Sequence, residues 1–496
     1  MSAAPPAASP AGSTTRSAPP SPARSRGRWL FAGAVLLLAV VSLPVLLNGA
    51  PHLDDFARCL VPAEEGWSTY LDMGVDPSGI VRPAKFLEVG LLSALCQRVP
   101  FGLLVAVPLA LTILVGAALI GLLEDLGVAA PWPQLAGVAW LLYPLGAESA
   151  WWPSALHIPL GLGLALLALR AVRRRRWAAT TLLTLGAFLS LEQALFALPL
   201  AAAMVADADV RRRAAGLVGV LAVALIVAYG VAPGEESLAV VPLPERVASL
   251  FADPAWLLRF PAKTSGPAAV ALVAWWWLPV TGVVVAVAAL AGTRIGPWLL
   301  PPTAPRHGSA QRGLRVAMPL LALLAVVALL HLPMQSTVPR VESPRAFAPS
   351  WLAVAAVGGW LGSALPWRRR RLLGAVGVVA AALSLQTLAF QGLTRVTTAN
   401  LEAQAALAIA DRTADGQAVA LCDVPVTLVH PALRWTPYAQ HAYAAEHATR
   451  HAIRFYSQRR LDAVVVAARG DGCPERRTEA DVRVPFAALM ADEGRP

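Results

Sequence analysis

Apolar runs of about 15 to 25 residues recur along this 496-residue chain, separated by short polar or basic stretches. That spacing constrains the fold more than any other feature. Only 14% of residues are charged, against roughly 25% in soluble domains, so lipid is the expected solvent for most of the chain. In lipid every backbone polar group must be satisfied within the chain, and helices do this one segment at a time. The net charge of +11 suits a nucleic-acid partner at first sight. The arginines, however, fall in short clusters between apolar runs, as they do where they orient membrane helices, and no nucleic acid is expected. The expected class is a polytopic α-helical membrane protein with about eleven transmembrane helices and a small C-terminal α/β soluble domain.

The runs are roughly 29–49, 101–123, 132–147, 155–172, 177–190, 193–206, 214–232, 267–291, 316–333, 347–365 and 372–391. Residues 1–28, mostly Ala, Pro, Ser and Arg without apolar period, read as a disordered cytoplasmic tail. The run 29–50 exceeds the core of a signal peptide and precedes no clear small-residue cleavage site, so it is read as an uncleaved first span. Arg24, Arg26 and Arg28 place the N-terminus in the cytoplasm. Arg170 with Arg173–Arg176, Arg211–Arg213, the arginines from Arg294 to Arg315, and Arg368–Arg371 all fall on that same side only if 177–206 crosses twice, breaking near Ser190-Leu191-Glu192. This threading gives a multispanning domain over 29–393, a first outer loop at 50–100 and an outer domain at 394–496. The expected address is a multi-pass protein of a bacterial cytoplasmic (inner) membrane with its C-terminal domain extracytoplasmic.

Within the last segment, 417–426 and 461–467 read as buried strands and 438–456 as the helix between them. All four cysteines fall on the outer side, Cys59 and Cys96 in the first loop, Cys422 and Cys473 in the C-terminal domain. An oxidising compartment allows a disulfide within each module; four separate thiols are the alternative.

The polar residues that suggest chemistry share that outer face. Asp54 and Asp55 directly follow the first span, and adjacent carboxylates at a membrane surface are costly to desolvate without a compensating cation. The pair suits a general base, a divalent-metal site or a solvated loop start. Arg82 and Lys85 precede an amphipathic stretch (Phe86, Leu87, Val89, Leu91, Leu92, Leu95) that suits the interface plane. They would hold a lipid phosphate there, or snorkel. Glu148 and Glu192 lie in turns between short spans, where an ionisable group is a functional candidate by default. Arg345 precedes a late span. His447 and His451 have the four-residue spacing of two ligands on one helix face, without a third.

Together these pieces resemble the GT-C superfamily of membrane glycosyltransferases, which draw sugars from polyprenyl-phosphate carriers. Asp54-Asp55 stands where that superfamily keeps its acidic motif after the first span. Tyr143-Pro144-Leu145-Gly146-Ala147-Glu148 with Trp151, Leu189-Ser190-Leu191-Glu192-Gln193-Ala194-Leu195 with Pro199, and Glu342-Ser343-Pro344-Arg345 are similar, in order, to three further motifs of one branch. Tyr143 and Leu191 stand where that branch keeps a histidine and a lysine. The resemblance implies a GT-C-like fold over 29–395 and transfer from a polyprenyl-phosphate sugar to a glycan, lipid or protein acceptor. Asp54 or Asp55 would be the base, and Arg82 and Arg345 the cations for the departing phosphate. A metal ion is compatible with the pair but not required by it. A transporter or flippase for lipid-linked glycans would instead place polar groups at mid-membrane, and a membrane scaffold would act through residues 394–496.

Overall fold

The computed structural model describes residues 22–65, 83–96, 98–143, 147–190, 277–300, 348–364, 369–425, 427–429, 441–444, 446–468, 482–486 and 489. These residues are mostly helical, with one small sheet. Five helices among them are long and apolar enough to cross a membrane.

The first, α1 (Pro22–Leu47), begins inside the tail expected to be disordered, because its arginines continue the helix to which they are joined. Two short helices follow, α2 (Asp54–Glu65) and α3 (Pro83–Leu95). Next come α4 (Phe101–Asp125) and α5 (Trp132–Leu141). The first ten residues of the run expected over 132–147 are helical, the chain leaves that helix at Leu142, and α6 (Ala147–Trp151) follows. A 3-10 turn (Pro153–Ala155) leads into α7 (His157–Arg173), followed by α8 (Trp177–Ser190); the expected break at Leu191-Glu192 lies outside the described residues. Helices α9 (Trp277–Leu299) and α10 (Ala348–Ala364) precede α11 (Arg370–Ala410). The runs 193–206, 214–232 and 316–333 lie outside the described residues.

Small residues set the closest helix contacts. Gly292 and Gly296 of α9 meet the backbone of α11 at Gly374, where any side chain would collide with main chain. In lipid, where burial of apolar surface does not drive association, such close approach supplies packing. Polar groups pair at one end of the body. Arg24 contacts Glu124, Arg170 donates to Asp125 at 2.9 Å, Arg26 stacks over Trp298, and Arg370 donates to the Leu300 carbonyl. Arg170 and Arg173 also complement the carbonyl end of α7.

Helix α11 runs through residue 394, where the outer domain is expected to begin. It runs unbroken for 41 residues, about 60 Å at 1.5 Å per residue, roughly twice the thickness of a bilayer's hydrocarbon core. Its C-terminal part packs on the small sheet through Ala405, Ala406 and Ile409. The sheet is wholly parallel in the order β2-β1-β3, with β1 (Ala418–Val424) central between β2 (Ala463–Ala468) and β3 (Val482–Pro485). The parallel pairing of β1 and β2 needs a crossover, which a 3-10 turn (Ala442–Ala444) and α12 (Glu446–Ser457) supply. The helix expected from 438 thus begins at Glu446.

Candidate active site

After α1 the chain turns through Pro51, His52 and Leu53 and enters α2. Leu53 has φ of 46°, a left-handed conformation that costs a bulky residue about 1–3 kcal/mol and clusters at functional sites. The turn is closed by Asp55. Its Oδ2 accepts from the His52 backbone N–H at 3.1 Å, reaching back three residues as the acid of a capping box does. Its Oδ1 accepts from the Ser154 N–H at 3.2 Å and from the Ser154 hydroxyl. Asp55 is fully buried. Burial pushes its carboxyl up to about 6, against the opposing pull of the Ser154 hydroxyl, the Arg395 guanidinium, the His52 N–H and Arg58. The carboxylate is committed to protein donors, which fixes the helix start on which Asp54 also lies.

A second buried carboxylate lies beside it. Glu88 of α3 is fully buried and takes Arg58 of α2 on Oε1 and the His157 ring Nδ1, at 2.9 Å, on Oε2. Arg58 also donates to the Ser154 carbonyl at 3.0 Å. Ser154 therefore couples the Asp55 and Glu88 centres through one residue. The Cys59–Cys96 disulfide clamps α2 to the end of α3.

Helix α11 closes the third side. Arg395, buried, donates to the carbonyls of Trp151 at 2.5 Å and Ala50 at 3.3 Å. It thereby joins the end of α6 to the start of the first loop. Two turns further, the buried Glu402 accepts from the Ala442 N–H at 2.6 Å. The Tyr443 hydroxyl donates to the Glu402 carbonyl, also at 2.6 Å. Phe56, next to Asp55, meets Phe455 and Tyr456 of α12 edge-on, each with ring centroids 5.6 Å away. In the C-terminal domain, burial holds the His441 imidazole down to about 4, so it is neutral, and Nε2 donates to the Pro425 carbonyl at 2.8 Å.

Of the residues singled out by sequence, the structure builds one centre around Asp55 and joins Cys59 to Cys96. Cys422 is disulfide-bonded, and Cys473 lies outside the described residues. Asp54 opens α2, Lys85 lies in the first turn of α3 and Glu148 on α6; their side chains lie outside the described part. Arg82, Glu192 and Arg345 lie outside the described residues. Tyr143 stacks on Trp351 with centroids 4.8 Å apart and lines a cavity with room for about one water. Among the described residues no three His, Cys, Asp or Glu side chains are placed to hold a metal. Asp55 and Glu88 are taken by protein donors, from Ser154 and from Arg58 and His157 respectively.

Sequence reasoning missed Arg58, Glu88, Ser154, His157, Arg395 and Glu402. Glu88 carries a legible signal, being a lone carboxylate amid Phe86, Leu87, Val89, Leu91 and Leu92. No protein family, no curated protein and no solved structure matches this chain.

Proposed function

We propose that this chain is a GT-C-type membrane glycosyltransferase moving a sugar from a polyprenyl-phosphate carrier to an acceptor at the outer membrane face. The observation that carries the reading is the anchored acidic turn: an acidic pair directly after the first span, one member of it locked by three protein donors behind a left-handed leucine. Stability alone does not call for such a turn, because burying a carboxylate costs more than leaving it in water.

In this reading Asp55 is the positioning residue and Asp54 the general base. The acceptor hydroxyl attacks the anomeric carbon as the bond to the carrier phosphate breaks, through a transition state with oxocarbenium character. The hydroxyl proton passes to Asp54, and the bonding electrons leave with the polyprenyl phosphate. Arg82, Lys85 and Arg345 take the phosphate charge as it develops, while Glu148 and Glu192 bind sugar or acceptor hydroxyls. The chain crosses the membrane about eleven times, with the N-terminus cytoplasmic. The paired arginines 24, 26, 170 and 370 then lie at the cytoplasmic end, as positive-inside ordering favours.

The test is mass spectrometry of lipid-linked sugars and surface glycans in the host. A deletion strain is compared with strains restored by wild type or by Asp54→Asn, at equal protein level. Loss of a glycan that wild type restores and Asp54→Asn does not is the expected result. Full restoration by Asp54→Asn removes the enzyme assignment.

A further inference from the structure

The C-terminal domain touches the first-loop helix at the residue beside Asp55. Phe56 is fully buried, and most of what it meets belongs to that domain: the Phe455 and Tyr456 rings, with Ala442, Ala448 and Ala452 in the same apolar cluster. The opposite side of α2 is fixed separately, by the Cys59–Cys96 disulfide and the contact of Arg58 with Glu88. A third tie runs along α11. It carries Arg395, bonded to Ala50 and Trp151 in the membrane body, and Glu402, bonded to Ala442 of the C-terminal domain. The two residues lie seven apart on one helix, two turns along the same face. The domain and the first loop are thus joined twice, once through aromatic packing on α2 and once through a rigid helix.

We infer that the C-terminal domain is a positioning clamp for the acidic turn, with Phe455 and Tyr456 pressing α2 through Phe56 so that Asp55 stays buried and Asp54 stays placed. The chemistry assigned to the turn rests on the glycosyltransferase reading; the clamp itself rests on the contacts alone. A module built to recruit a separate partner has no need to fill its own helix α12 against the first loop. Here that face of α12 is occupied by the chain itself.

A clamp of this kind couples packing to protonation. The groups that face Asp55 are Arg58 on its own helix, Ser154 on the 3-10 turn and Arg395 on α11. Glu88 of α3 and His157 of α7 act on it through Arg58, and Tyr456 on α12 stands against the neighbouring Phe56. Loosening the aromatic contact admits water to Asp55 and moves its titration down towards the ordinary carboxylate range.

The test uses the full chain in lipid nanodiscs with Phe455→Ala, Phe455→Leu and Phe56→Leu. Hydrogen exchange of residues 54–65 is expected to rise about tenfold in Phe455→Ala, since truncating a partly buried Phe in contact with two rings loosens the contact by about a factor of ten. Exchange within 101–125 stays unchanged, and Phe455→Leu recovers most of the protection. Phe56→Leu, which leaves the C-terminal domain's own sequence intact, also speeds exchange in 54–65 while β1 stays protected. In transfer assays, Phe455→Ala keeps a larger share of its neutral-pH activity at about pH 5 than wild type does, which a loss of fold alone does not produce. Unchanged exchange at 54–65 in both Phe455→Ala and Phe56→Leu overturns the clamp. Full activity of Asp54→Asn overturns the enzyme reading instead, and leaves the exchange result to judge the clamp.

Discussion

The two ends of the helical body handle charge in opposite ways. At the basic end, Arg24 and Glu124 pair with side chains 43% and 25% exposed, and Arg170 and Asp125 with 25% and 23% exposed. At the other end, Arg58 meets Glu88 with 11% and 0% exposed, and Asp55 and Glu402 are buried as well. Pairs that keep contact with water contribute about 0–1 kcal/mol. Buried pairs must first recover a desolvation cost of several kcal/mol per ion, and replacing them by apolar groups is often neutral or better. The basic end therefore needs only to orient helices. The buried end concentrates ionic groups where they do not help stability, and that is the mark of a site held for another reason.

Four substitutions or titrations break or sharpen this contrast. Arg58→Met leaves Glu88 buried beside His157 alone, and should cost about 3–5 kcal/mol in thermal unfolding of the purified protein. Cys59→Ser with Cys96→Ser opens a 37-residue loop and should cost about 4 kcal/mol on the chain-entropy account, measured the same way. The third is a pH effect with a definite sign. The Asp55 carboxyl is raised from 3.8 to about 6 in the folded chain, so its contribution to stability is full below about pH 4 and is lost as the pH rises through about 6. Wild type should lose about 3 kcal/mol relative to Asp55→Asn across that window; parallel pH profiles for the two would contradict the burial of Asp55. The smallest effect is at the other end, where Arg24→Met should change stability by less than about 1 kcal/mol. A cost as large as that of Arg58→Met would erase the distinction between the ends.

Much of the fold is legible because lipid imposes a simple rule. Runs such as 101–123 and 372–391 contain no charge, and their helices follow. Strands β1 and β2 are equally plain from their Ala, Val and Leu runs between turns, whereas β3, four residues long, offers too short a pattern to read. The extension of α11 to Ala410 is hidden by a change of composition. Residues 392–410 turn polar, which reads as leaving the membrane, yet they remain rich in Ala and Leu and keep the helix going. At the site, Asp54 and Asp55 stand out because they are adjacent and follow a span. Their partners do not, because Ser154 lies 99 residues from Asp55 and Arg395 lies 345 residues from Ala50. Arg395 follows the uncharged run 372–391, and only packing reveals it as the tie between the first loop and α6.

The most direct measurement is the release of polyprenyl phosphate by purified protein in nanodiscs, supplied with the lipid-linked sugars extracted from a deletion strain. Wild type is compared with Asp54→Asn and with Arg24→Met. The account predicts a loss of about a hundred- to ten-thousandfold for Asp54→Asn, the range a general base supplies, with Arg24→Met close to wild type. Equal release by wild type and Asp54→Asn would contradict it.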